Sequence, residues 1–142
     1  MTAIDLSSMF EGMELSPLQL QITQESINLY AEASKDFNPI HIDEEYAKST
    51  PLGGTIAHGM LILSHIWQML VSNFGQEWNN GGKLNVKFKN PARPGDTVTV
   101  TGKVRKIEKD EIQTIRCDVL CANPAGEIII SGDAEFKTSV IS

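Results

Sequence analysis

The run SKDFNPIHIDE, residues 34–44, sets an acid (Asp36), an amide (Asn38) and an imidazole (His41) within six residues. One reading is purely local: Asp and Asn side chains close turns by hydrogen bonding the nearby backbone, and Pro39 stiffens them. The other is an acid/base pair on a rigid platform. Two features of the context favour the second. A proline-fixed loop between two helical stretches can place side chains accurately, and a second His-Gly pair, His58-Gly59, opens the most apolar segment of the chain. The start of a helix presents unpaired N–H groups and a positive dipole end, a site for an oxyanion, and glycine permits close approach. For Gly59 simple relief of crowding is the alternative, and for His58 a cap or core role. Acid, base and oxyanion donors together suit adding water across a double bond conjugated to a thioester carbonyl, or removing it. Neither a metal nor a redox cofactor is needed for that chemistry.

The elements that must hold these residues follow from periodicity. LQLQIT (18–23) alternates apolar and polar residues as a half-buried strand does. TQESINLYAEAS (23–34) reads as a helix capped by Thr23, with an acidic first turn and Ile27, Tyr30, Ala31 and Ser34 on one face. Pro39 disfavours helical geometry at Asn38, so the helix ends before a loop. Asp43 caps a second short helix over 44–48, and STPLGGTIA (49–57) reads as a flexible connector or lid. HGMLILSHIWQMLVSNF (58–74) is apolar nearly all round, which predicts a buried helix. Four strand-like runs follow, at 83–90, 96–108, 111–123 and 127–139, separated by turn signals at Pro91, Pro94-Gly95-Asp96, Lys109-Asp110 and Asn123-Pro124-Ala125-Gly126. With the first strand they predict an α+β domain over 1–142: an antiparallel sheet of about five strands wrapped around one long central helix.

Bulk composition agrees. A chain of 142 residues forms one domain that buries roughly 68–70% of its unfolded surface. Hydrophobic residues at 41% and charged residues at 21% are ordinary globular values. A net charge of −6 argues against a nucleic-acid partner. The start MTAIDLSSMFEGMEL lacks the basic n-region and apolar run of a signal peptide, and no stretch reaches the roughly 18 apolar residues of a membrane span, so a cytoplasmic protein with no membrane partner is expected. Cys117 and Cys121 fall on one face of a strand about 13 Å apart, too far for a disulfide, and read as reduced buried residues. They lack the further ligands that a metal site needs.

DFNPIHID (36–43), AHGM (57–60) and FKNPARPGD (88–96), in this order, resemble the MaoC-like hydratases, or hydratase 2 family, which include (R)-specific enoyl-CoA hydratases and 3-hydroxyacyl-ACP dehydratases of the hot-dog fold. The resemblance spans roughly residues 10–138. It implies that Asp36 and His41 form a catalytic dyad that activates water, that Asn38 supports them, and that the Gly59 N–H binds the thioester oxygen. It also implies an acyl tunnel between the central helix and residues 49–57, no cofactor, an acyl-CoA or acyl-ACP substrate, and a homodimer paired through its sheets with a hetero-oligomer as the alternative. His58 and Trp67 are expected to touch substrate. Trp67 either caps the tunnel or faces the sheet as core. Lys87, Lys89, Arg93 and Lys103 are candidates for phosphate contacts, against the alternative of solvated surface lysines.

Two competitors are weaker. A non-catalytic acyl-binding subunit would be expected to lack the acid or the histidine, and both are here. A hot-dog thioesterase generally carries a carboxylate on or near its central helix, and residues 58–74 contain none.

Overall fold

The computed structural model describes residues 3–139; positions 1–2 and 140–142, the ends of the expected domain, lie outside the described residues. Five strands form one antiparallel sheet in the order β1-β3-β4-β5-β2. They are β1 (Leu18–Gln21), β2 (Lys83–Phe88), β3 (Thr97–Lys109), β4 (Ile112–Ala122) and β5 (Ile128–Ser139). Register is held by alternation: in β4, Gln113, Ile115, Cys117, Val119 and Cys121 point inward and are buried, and a slip of one residue would turn all five to solvent. Against the inner face lies the central helix α4 (Gly59–Phe74). Its Ile62, Ile66, Met69 and Leu70 share one core with Val98, Val100, Ile115 and Ile130. Each such side chain contributes about 1.5–3 kcal/mol of burial. This is the hot-dog arrangement.

Burial on α4 is one-sided. Met60 is 57% exposed and Trp67 39%, so the helix read as buried all round has an open apolar flank. The sheet covers only one face of α4, and β2 adds an exposed aromatic, Phe88, at 54%.

The smaller helices bring the candidate residues together. α1 (Gln24–Ser34) begins at Thr23, whose side chain accepts the Ser26 N–H, and buries Ile27 and Ala31. It ends at Lys35 in the left-handed region, φ 63°, an unfavourable conformation for a side-chain-bearing residue. That reversal turns the chain directly into Asp36. The segment after it is not a plain loop: α2 (Pro39–Ile42) is a single helical turn, with Pro39 in its first positions and Asn38 capping it. Proline fits there because the first N–H groups of a helix have no partner anyway. α3 (Glu44–Lys48) is capped by Asp43 as expected.

Another short helix, α5 (Gln76–Asn79), follows α4 and carries the fully buried Trp78. Gly82 lies directly under that indole, where a Cβ would collide with it. Both cysteines are free and buried. Burial pushes the Cys117 thiol up to about 12, with neighbouring Asp118 adding to the rise and Arg105 opposing it, and burial alone pushes Cys121 up to about 11.

Candidate active site

The α2 turn and the strap that leads into α4 meet face to face. Ile56 N–H donates to the Ile40 carbonyl at 3.1 Å and Ala57 N–H to the Ala92 carbonyl at 2.8 Å. The segment read as a flexible connector is therefore stitched down at its α4 end. His41, 8% exposed, sends Nδ1 to the Ile56 carbonyl at 2.8 Å. A carbonyl only accepts, so Nδ1 carries the proton and the Nε2 lone pair is free to act as a base.

His58 mirrors this arrangement. Its Nε2 lies 3.0 Å from the Asp36 backbone carbonyl and so donates there, while its Nδ1 is buried with no partner among the described residues. The two imidazoles stack, centroids 3.9 Å apart and planes 26° from parallel, and Tyr30 tilts against His58 at 4.9 Å. His58 is 2% exposed and does not line the cavity beside Gly59; in place of the expected substrate contact, its ring stacks on His41. It occupies the N-cap position of α4 without a side-chain capping bond.

Asp36 is exposed at the lip of this pair. Its Oδ1 accepts the Asn38 N–H at 3.3 Å, and Asn38 Oδ1 accepts the Ile40 N–H at 3.2 Å. Asn38 thus supports the site through the backbone, capping α2 and steadying Asp36. The turn-closing bonds of the local reading are present, and they leave the Asp36 carboxylate near the His41 ring.

One carboxylate oxygen of Asp36 and a ring nitrogen from each histidine lie within 4.8 Å of one another, which raises the question of a metal. Zinc bonds imidazole nitrogen at about 2 Å, along the lone pair in the ring plane. Stacked rings hold their lone pairs in nearly parallel planes, so one ion cannot lie close to both. As they stand, the groups fit a water molecule and its proton better than an ion.

At the first turn of α4 the Gly59 N–H meets no acceptor among the described residues. Gly59 lines an apolar cavity of about 320 Å³ with Leu52, Ile56, Ile62, Phe88 and Ile130, where the tunnel beside residues 49–57 was expected. Crowding also matters at Gly59, because a Cβ there would lie 3.0 Å from the Phe88 ring. Phe88 and Ile56 are not recognisable in the sequence as site residues; their only signal is adjacency, one beginning FKNPARPGD and the other preceding AHGM.

Trp67 lies neither on the cavity wall nor in the core beneath the sheet. Its indole N–H donates to Asn79 Oδ1 at 3.3 Å and its ring meets Trp78 edge-on at 5.0 Å. Instead of either expected position, Trp67 turns toward α5. Of the candidate cations, Lys89 alone reaches that cavity. Lys87, Lys89 and Lys103 also border a larger open groove, about 830 Å³, on the outer face of the sheet, which contains none of the acid/base residues.

Known proteins share this design. The family profile described as "MaoC like domain" matches residues 10–121. The chain is similar to an (R)-specific enoyl-CoA hydratase of Rhodospirillum rubrum, 36% identical over 127 residues, 87% of this chain and 84% of the relative. It is also similar to 3-hydroxyacyl-thioester dehydratase Z of Mycobacterium tuberculosis, 36% identical over 91 residues, 61% of this chain and 60% of that protein. Among solved structures, R-hydratase PhaJ1 of Pseudomonas aeruginosa superposes with a TM-score of 0.80 at 26% identity, over 96% of this chain and 89% of that one. With the profile running from the N-terminal segment through β4 and the first relative matched over most of its own length, this chain belongs to the MaoC-like domain family.

Proposed function

We propose that this protein is a cytoplasmic hydro-lyase that adds water reversibly to trans-2-enoyl-CoA thioesters to give (R)-3-hydroxyacyl-CoA. The observation that carries the reading is the convergence of His41, with Nε2 free, and Asp36 on one side with the free Gly59 N–H and an apolar cavity on the other. The acyl chain occupies the cavity and the thioester oxygen accepts from Gly59 N–H. A water held between the Asp36 carboxylate and His41 Nε2 adds its hydroxyl to C3. The proton it surrenders returns through the pair to C2 on the same face, a syn addition, and negative charge developing on the thioester oxygen is met by the Gly59 donor and the helix dipole. The relative's name supports the (R) product and the CoA carrier.

Dehydration of a 3-hydroxyacyl group on acyl carrier protein is the same chemistry reversed and is the second reading; the mycobacterial relative's name supports dehydration of a 3-hydroxyacyl thioester. A homodimer is also part of the proposal. β2 is an edge strand paired only with β5, and Phe88 and Met60 are exposed beside it, an apolar edge of the kind that association covers.

The test is the loss of enoyl-thioester absorbance when the purified protein alone meets crotonyl-CoA, run beside Asp36→Asn. Rapid loss that disappears in the variant is expected. Loss of equal rate in both would overturn the dyad. No loss in a folded wild-type sample would reject the CoA hydratase reading and turn the assay to carrier-protein substrates.

A further inference from the structure

Around the His41 backbone lies a hydrogen-bonded chain of polar groups, from buried Thr55 through half-buried Gln24 to exposed Glu44, for which the reaction has no direct use. Thr55 is 2% exposed, and its backbone N–H donates to Glu44 Oε2 at 3.3 Å. Its hydroxyl has one proton and two acceptors, Gln24 Oε1 at 2.7 Å and Glu44 Oε2 at 2.9 Å. That one proton serves both acceptors in turn, and Glu44 Oε2 also takes the Thr55 backbone N–H. Gln24 Nε2 in turn donates to the His41 backbone carbonyl at 2.7 Å and to Asn28 Oδ1 at 2.9 Å. The carboxylate is also fitted sterically: a Cβ on Gly54 would lie 2.9 Å from Glu44 Oε1.

We propose that Gln24, Thr55 and Glu44 act as positioning residues that set the orientation and tautomer of His41 by holding the two backbone carbonyls on either side of its ring. One is the carbonyl of His41 itself, held by Gln24. The other is that of Ile56, which follows Thr55 and receives the Nδ1 proton. The three residues come from α1, α3 and the strap, so the relay ties three elements to the backbone around His41. Stability alone does not require polar groups here, because a buried threonine hydroxyl can be replaced by an isosteric methyl when its partners are also relieved. What the polar chain adds is direction, since a hydrogen bond fixes an angle as well as a distance. A base displaced by about 1 Å can lose about a hundredfold in rate.

This inference rests on the proposed hydratase reading for its kinetic consequence, so its test has one readout that does not need turnover. Protein labelled with ¹⁵N-histidine reports which ring nitrogen of His41 carries the proton, assigned by comparison with His41→Ala. The wild type is expected to show a single Nδ1–H tautomer. In Thr55→Val and Gln24→Met the His41 ring signals move toward the averaged tautomer, kcat on crotonyl-CoA falls about ten- to a hundredfold, and KM stays within about twofold. Thr55→Ser, which keeps the hydroxyl, restores both readouts. Folded variants whose His41 ring signals stay at their wild-type positions overturn the relay, whatever happens to kcat. If Thr55→Val does not fold, Gln24→Met at a half-buried helix position decides. If the wild type itself turns over no enoyl thioester, the hydratase reading falls, while the ring signals still decide the relay.

Discussion

The two ends of α4 each bury a polar side chain, and they treat it in opposite ways. At the C-terminal end Asn73 is saturated: Oδ1 accepts the Ser16 N–H at 2.9 Å, and Nδ2 donates to the Ser16 and Met69 carbonyls at 3.0 and 2.9 Å. Around it Phe74, Trp78 and Phe136 interlock, with ring centroids 4.6 and 6.2 Å apart. At the N-terminal end His58 leaves Nδ1 without a partner among the described residues, and Gly59, whose N–H has no acceptor there, lines a cavity. Unmet buried polar groups cost stability, and each end has one, since Trp78 Nε1 beside Phe74 also lacks a partner among the described residues; what sets the N-terminal end apart is that its open groups stand next to a cavity. The same helix anchors the fold at Phe74 and, in the proposed reading, meets the thioester at Gly59.

The largest effects that could break this division belong to the N-terminal end. Asp36→Asn or His41→Ala should lower kcat on crotonyl-CoA by about 10²–10⁴. Asp36→Asn should leave the melting temperature within a few degrees, because Asp36 is exposed and the amide oxygen can still accept the Asn38 N–H. A normal rate in either variant would return the run 34–44 to the status of a turn. Next comes Gly59→Pro, which deletes the proposed oxyanion donor. Proline suits the first turn of a helix, and His58, at φ −61° and ψ 135°, already has the extended geometry that a following proline requires. The expected loss in kcat is about 10²–10³. Gly59→Ala is the control: it keeps the N–H and adds the Cβ that presses on Phe88, so it should raise KM far more than it lowers kcat. Equal losses in the two variants would make Gly59 a steric residue only.

How far the sequence reveals this division differs between the two ends. Elements with strong periodicity are legible: all five strands stand within a few residues of where alternation puts them, and the Thr23 and Asp43 caps hold. The candidate residues stand out too, because Asp, Asn, His and Gly crowd into two short runs. What escapes is what depends on neighbours distant in the chain. Asn38 and Pro39 start a single helical turn, since a cap and a proline at the first position suit a helix start as well as a loop. Trp67, inside the long apolar run, is half open, while Trp78, among polar residues after Gly75, is fully buried. Thr55, Gln24 and Glu44 look like ordinary polar residues, and only the fold shows that they converge on the backbone around His41.

The C-terminal end should answer in stability rather than rate. Trp78→Ala is expected to cost about 3–5 kcal/mol, as large aromatic truncations in cores do, and Asn73→Ala about 1–3 kcal/mol through the Ser16 groups it strands. For a chain of this length each kcal/mol lowers the melting temperature by about 3–4 °C, while kcat measured well below the melt should stay within about twofold. A tenfold fall in kcat in a folded Asn73→Ala sample would mean that the two ends are coupled along the helix.

The smallest effect sharpens the boundary. Trp67→Ala removes an edge-on contact with Trp78 and one exposed hydrogen bond to Asn79, and an aromatic pair of this kind is worth about 0.5–1.5 kcal/mol beyond its buried area. Trp67 does not border the acyl cavity, so the order of preference among enoyl-CoA chain lengths should not change. A shift toward longer chains in Trp67→Ala would place the indole at the end of the tunnel after all, and would move the line between catalytic and structural halves a full turn or more toward the C-terminus of α4.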